Sequence, residues 1–131
     1  MPSPMTGPGT RALAFGVGAT INIDWRPRDG SIVGTIAARS DVAGTLSVQR
    51  VDGGGTAVAA QPHTTTDAAH EQPLNLGTTA SPATTLAIAA GAPARDDLQD
   101  IQMNFPVPGF LRVRFTSGAG AGTLRLDFND S

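Results

Sequence analysis

Apolar side chains recur at every second position in several stretches of this chain, and Gly- or Pro-rich turns cut each stretch short. Leu13, Phe15 and Val17 share one face of an extended segment, and after Gly18 the alternation restarts as Ile21, Ile23 and Trp25. Over Ser31–Ala37, Ile32, Gly34 and Ile36 alternate with Val33 and Thr35. Over Thr45–Val51, Leu46 and Val48 oppose Thr45, Ser47 and Gln49. Ile101, Met103, Phe105 and Val107 form a further alternating run. Beyond it, Leu111, Val113 and Phe115 oppose Arg112 and Arg114, and Leu124, Leu126 and Phe128 oppose Arg125 and Asp127. A period of two is the pattern of strands with one buried face. The sequence therefore predicts an all-β fold: an antiparallel β-sandwich, jelly-roll-like, of about eight short strands.

The turn signals agree. Gly (16) and Pro (10) are plentiful, which disfavours long helices. Arg26-Pro27-Arg28-Asp29-Gly30 reads as a turn, and Asp52-Gly53-Gly54-Gly55 is the strongest turn signal in the chain. Asp41-Val42-Ala43-Gly44 reads as a tight link, so Thr35 to Val51 is expected to be a hairpin. The stretch Gln61–Pro73 is polar and expected to be an exposed loop. Short strands are expected at Thr56–Ala60, from Leu74 and Leu76, and at Thr85–Ala89, with one helical turn at most over Arg95–Asp100. The expected core is Phe15, Ile21, Ile23, Ile32, Ile36, Leu46, Val48, Phe105, Leu111, Val113, Phe115, Leu124, Leu126 and Phe128. Such a core is thin in aromatics, and a domain of this kind leans on neighbours.

Residues 1–10 read as a flexible arm ahead of one sandwich domain over 11–131, because Pro2, Pro4 and Pro8 remove backbone donors. The arm is either a loose end or a segment that orders against a neighbouring subunit. It has no basic cluster, and the apolar stretch after it is broken by Gly16 and Gly18, so neither a signal peptide nor a membrane span is expected. All nine basic residues are Arg, and with 11 acids the net charge is −2, which gives no electrostatic case for nucleic acid or an anionic membrane.

Sites of chemistry are sparse. There is no Cys, hence no disulfide and no thiolate ligand. The Gly-x-Gly patterns at Gly16–Gly18 and Gly118–Gly122 do not join a strand to a helix, so they do not read as phosphate sites. His63, Asp67, His70 and Glu71 offer metal-type ligands, but no helix gathers them, and they read as solvated loop polars. Asp96, Asp97 and Asp100 read as a solvated acidic turn. No Ser sits in a nucleophile elbow. No catalytic, cofactor or metal residue is assigned, a small-molecule ligand is not expected, and the chain reads as a non-enzyme. Arg112 and Arg114 are expected on an outward face, pairing with Asp127 across a hairpin or with acids of another subunit.

Two segments carry a resemblance. Ile32–Asp52 combines a strand, a Ser-Asp-Val-Ala-Gly-Thr-Leu link and a second strand. Phe110–Phe128 joins an Arg-alternating strand through a Gly/Ala loop to a closing strand. Together they resemble small all-β virion modules of tailed bacteriophages, of the capsid decoration (cement) or head-fibre type. The resemblance implies a virion structural protein on the capsid surface, made in the host cytoplasm. Its partners would be the major capsid protein and copies of itself, as a homotrimer. The implied contact residues are Pro2, Pro4, Pro8, Trp25, Arg26, Arg28, Arg112 and Arg114. The alternatives are a tail, neck or baseplate component, or a carbohydrate-binding sandwich with Trp25 as its platform.

Overall fold

A computed structural model describes residues 5–6, 9–26, 33–51, 62–64, 66–74, 76, 80–91, 101–102, 110–118 and 120–129. Ten strands run through them: β1 (Met5–Thr6), β2 (Gly9–Phe15), β3 (Thr20–Arg26), β4 (Val33–Ser40), β5 (Gly44–Val51), β6 (Glu71–Pro73), β7 (Leu86–Ile88), β8 (Ile101–Gln102), β9 (Phe110–Ser117) and β10 (Gly122–Asn129). One sheet has the order β1-β3-β9-β5, and the far edge of β5 is shared by β7 at Gly44–Leu46 and β6 at Gln49–Val51. The other sheet has the order β2-β10-β4-β8. Among the described residues the strand pairs are antiparallel except the two-residue β1–β3 pair, and Ser40 and Ala90 form an isolated parallel bridge. The chain is an all-β sandwich, as the periodicity predicts.

The connections differ from expectation. β4 and β5 do not form a hairpin: β4 lies in the four-stranded sheet and β5 in the six-stranded one. The same is true of β2 and β3, and of β9 and β10, so three successive strand pairs are arches that cross the core. A hairpin and an arch impose the same alternation on sequence, since both leave every second side chain buried. Which one forms depends on whether the turn folds the chain sideways or over the core. The three turns meet at one end: Ser117 N–H donates to Ala19 O (2.9 Å), Gly118 N–H to Ala43 O (2.9 Å) and Asp41 N–H to Thr123 O (3.2 Å). Two glycines make these turns possible. Gly18 takes φ +64° in the turn closed by the Ala19 N–H to Gly16 O bond, a conformation that favours glycine. At Gly44, a Cβ would run into the Phe115 ring and the Thr116 carbonyl.

The core fills the space between the sheets. Twelve of the fourteen predicted core residues are buried; Ile32 and Phe105 lie outside the described residues. Two aromatic pairs span the layers. Phe15 of β2 meets Phe115 of β9 at 5.1 Å between centroids, tilted by 56°, and Trp25 of β3 stacks on Phe128 of β10 at 5.0 Å and 25°. Such pairs contribute about 0.5–1.5 kcal/mol beyond their area burial. Trp25 was expected as an exposed contact, yet it is fully buried. It sits in register with Ile21 and Ile23 and so faces inward. Val17, expected on the face of Leu13 and Phe15, stands 75% exposed in the turn.

Further boundaries shift. The strand expected to end at Ala37 runs on to Ser40. The expected arm is partly within the fold: Met5–Thr6 pairs with Trp25–Arg26, while Gly9 and Thr10 pair with Phe128 and Asp127. Backbone pairing needs no side-chain pattern, which is why an irregular sequence can supply it. Leu74 and Leu76, where a strand was expected to start, are themselves outside the strands; they follow β6 and pack on the core. Thr85–Ala89 contains β7, and Ile101–Gln102 is β8. The expectations for Thr56–Ala60, Arg95–Asp100 and Met103–Val107 lie outside the described residues.

Candidate functional site

The side of the six-stranded sheet turned away from the core carries a polar cluster. Strand alternation puts Asn22 and Asp24 on that face of β3, between Ile21, Ile23 and Trp25, which point inward. On β9 the same rule places Arg112 and Arg114 there. The register pairs Asp24 with Arg112 and Asn22 with Arg114, while β5 sets Gln49 and Ser47 on the other side of the two arginines. Opposite charges therefore stand directly across adjacent strands, the favourable cross-strand arrangement.

The expected exposed loop closes over this face. His63 exchanges backbone hydrogen bonds with Asn22, at 2.7 and 3.0 Å, and is itself buried. Its Nε2 lies 3.0 Å from Asp24 Oδ1. Eight residues on, Glu71 begins β6 on the edge of β5, and Leu74 N–H donates to Val48 O at 2.9 Å. The polar composition of Gln61–Pro73 reflects a polar surface beneath it and not only solvent above it.

The ion pairs interlock. Arg112 Nε donates to Asp24 Oδ1 (2.8 Å), its Nη2 to Asp24 Oδ2 (3.2 Å) and its Nη1 to Glu71 Oε2 (2.9 Å). Arg114 Nε donates to Asn22 Oδ1 (2.7 Å) and its Nη2 to Glu71 Oε1 (2.9 Å). Asp67 N–H adds a 2.9 Å bond to Glu71 Oε2, and Asn22 Nδ2 reaches His63 O at 3.3 Å. The Arg112 guanidinium also lies 5.4 Å from the centre of the Phe110 ring. Burial pushes the Glu71 carboxyl up, but the Asp67 N–H and the Arg114 and Arg112 guanidiniums more than offset this and hold it below its ordinary value. Burial likewise works against the charge on Arg112, and Asp24 and Glu71 outweigh it, so that guanidinium is held above its ordinary value.

Two cations and two carboxylates thus neutralise each other beneath a covering segment. The arrangement is a clasp: through His63, Asp67 and Glu71 it ties the covering segment to β3, β9 and β5. Arg112 was expected on an outward surface and is fully buried, because the covering segment lies on that surface. Arg114 is half-buried, its side chain 21% exposed. Neither pairs with Asp127, which is in the opposite sheet, accepts from Thr10 Oγ1 at 2.6 Å and lies 3.5 Å from Arg125. His63 and Glu71 are clasp residues and not solvated loop polars. Among the described residues, no three His, Asp or Glu side chains converge as metal ligands. Arg26 has its backbone in β3; Pro2, Pro4, Pro8 and Arg28 lie outside the described residues.

Sequence reasoning missed Asn22, Asp24, His63 and Glu71 as a unit. A signal was available in two matched pairs, Asn22-x-Asp24 and Arg112-x-Arg114, each threaded through inward apolar residues. Comparison with protein-family models, curated proteins and solved structures finds no match to this chain.

Proposed function

We infer that this chain is a non-enzymatic virion structural protein, a capsid decoration protein of a tailed bacteriophage that acts as a homotrimer over junctions of the major capsid shell. The observation that carries the reading is the clasp. Its Asp, Glu, Arg and His side chains, which elsewhere could do acid–base work, engage one another and hold the protein's own covering segment. That is the chemistry of a fastening. The resemblance adds support, since its two segments fall on two of the three arches, β4–β5 and β9–β10. The mechanism is adhesion: each copy buries shell surface across a junction, and many copies add their modest free energies. Trp25, the chain's one Trp, is fully buried against Phe128, which counts against a glycan platform.

Light scattering and co-sedimentation test the reading. The expected solution mass is that of three chains, and the protein should pellet with empty heads of the phage that encodes it. Failure to bind those heads overturns it.

A further inference from the structure

The two sheets differ in what lies outside them. The six-stranded sheet is covered over Asn22, Asp24 and Arg112 by residues 62–64, 66–74 and 76, whereas the four-stranded sheet turns Thr10, Ala12 and Ala14 of β2, Thr123 and Arg125 of β10 and Arg39 of β4 out to solvent. Arg125 stands directly between Ala12 on one side and Arg39 on the other. Two exposed arginines are therefore cross-strand neighbours, and like charges directly opposite destabilise a sheet. The neighbouring carboxylate does little to relieve them. Asp127, its side chain 44% exposed, lies 3.5 Å from Arg125, 62% exposed, and it accepts the Thr10 hydroxyl at 2.6 Å.

A carboxylate approaching from outside would change the sign of that interaction. Two arginines at directly opposed positions of adjacent strands bring two guanidiniums within reach of one incoming carboxylate, which each can bind with charge-assisted bonds in a way lysine would not. The alanines on β2 keep the adjoining surface flat, so a second protein can come close to the strands. A nucleic acid fits less well: its run of phosphates would also meet Asp127 and Asp41, which sits beside Thr123 and accepts its N–H at 3.1 Å.

We propose that the outer face of β2, β10 and β4 is the surface that meets the capsid shell, with Arg39 and Arg125 together receiving a carboxylate of the shell protein. This rests on the decoration reading above and adds to it the face and the charge of the partner.

The test compares the full chain, R39Q/R125Q, and T84E/T85E, which changes net charge equally at exposed positions ahead of β7 on the other sheet. Each is titrated against empty heads over a range of salt. The expected result is a loss of affinity of at least about tenfold in R39Q/R125Q, as two charge-assisted contacts would give. Affinity of the unaltered chain should fall with salt, and T84E/T85E should bind as the unaltered chain does. Circular dichroism and melting should show R39Q/R125Q at least as stable as the parent, since a repulsion is removed. Equal binding by R39Q/R125Q, or an equal loss in T84E/T85E, overturns the proposal while leaving decoration standing. Arginine-dependent binding to a short duplex DNA as tight as to empty heads also overturns it. Absence of head binding by the unaltered chain overturns the decoration reading itself.

Discussion

Arg112 grips both carboxylate oxygens of Asp24 across adjacent strands, at 2.8 and 3.2 Å, with neither side chain exposed to solvent. A buried pair of this kind is not a large net source of stability, because removing two charges from water nearly offsets their attraction. Its weight appears when one partner is lost. Arg112→Ala takes from the buried Asp24 its guanidinium partner and leaves Glu71 with Arg114 alone, and should lower unfolding free energy by about 3–5 kcal/mol. Urea denaturation measures this, and a loss under about 1 kcal/mol would show that the clasp does not hold the covering segment.

Glu71 gives the clasp a pH dependence of defined sign. Its folded-state value lies below the ordinary 4.5, so its contribution is complete above that pH and is lost as pH falls through the lower folded value. The unaltered chain should lose stability below about pH 4.5, and Glu71→Gln should show a flatter acid limb. Hydrogen exchange supplies the local readout: the His63 amide, bonded to Asn22 O at 3.0 Å, should exchange faster in Glu71→Gln.

Trp25 should emit like an indole in an apolar core. Its fluorescence is expected to be blue-shifted, protected from acrylamide and unchanged by added glycans. Trp25→Ala should destabilise by about 3–5 kcal/mol through the cavity left against Phe128. Emission characteristic of water-exposed Trp would contradict the stacking.

Gly44 and Gly16 make a matched pair. A Cβ on Gly44 meets the Phe115 ring and the Thr116 carbonyl, whereas a Cβ on Gly16 meets nothing within 4 Å. Gly44→Ala should destabilise by about 1–3 kcal/mol through overpacking, and Gly16→Ala should leave thermal stability unchanged or slightly raised. Equal effects at the two positions would show that the turn after β4 yields freely.

The fold class was legible because burial of one face writes itself into every second residue, and Leu111-Arg112-Val113-Arg114-Phe115 states it most plainly. The sheet to which each strand belongs was not legible. Leu46 and Val48 look the same whether β4 lies beside β5 or across the core from it. The clasp was half legible: Arg112 and Arg114 stood out as a charged pair on one strand face. Their true partners are distant in sequence, Asp24 by 88 positions and Glu71 by 41 and 43. A strand's polar face looks solvated in sequence whether water or another segment of chain covers it. Trp25 was misplaced for a related reason, since its position at a strand end suggested exposure although its parity with Ile21 and Ile23 pointed inward.

The three arches bear on how such a molecule is made. At each arch the polypeptide passes from one layer to the other, so neither layer can be completed ahead of its opposite. Hydrogen-bonded neighbours such as Thr10 and Asp127 lie 117 positions apart, and the entropy of closing loops of that size is lost before any contact offsets it. Folding should accordingly be slow, on the millisecond-to-second scale of non-local β topologies, and all-or-none. A ribosome must release the chain through Asn129 before β10 can take its place between β2 and β4, and a fragment ending before β10 would leave both of those strands without their shared neighbour.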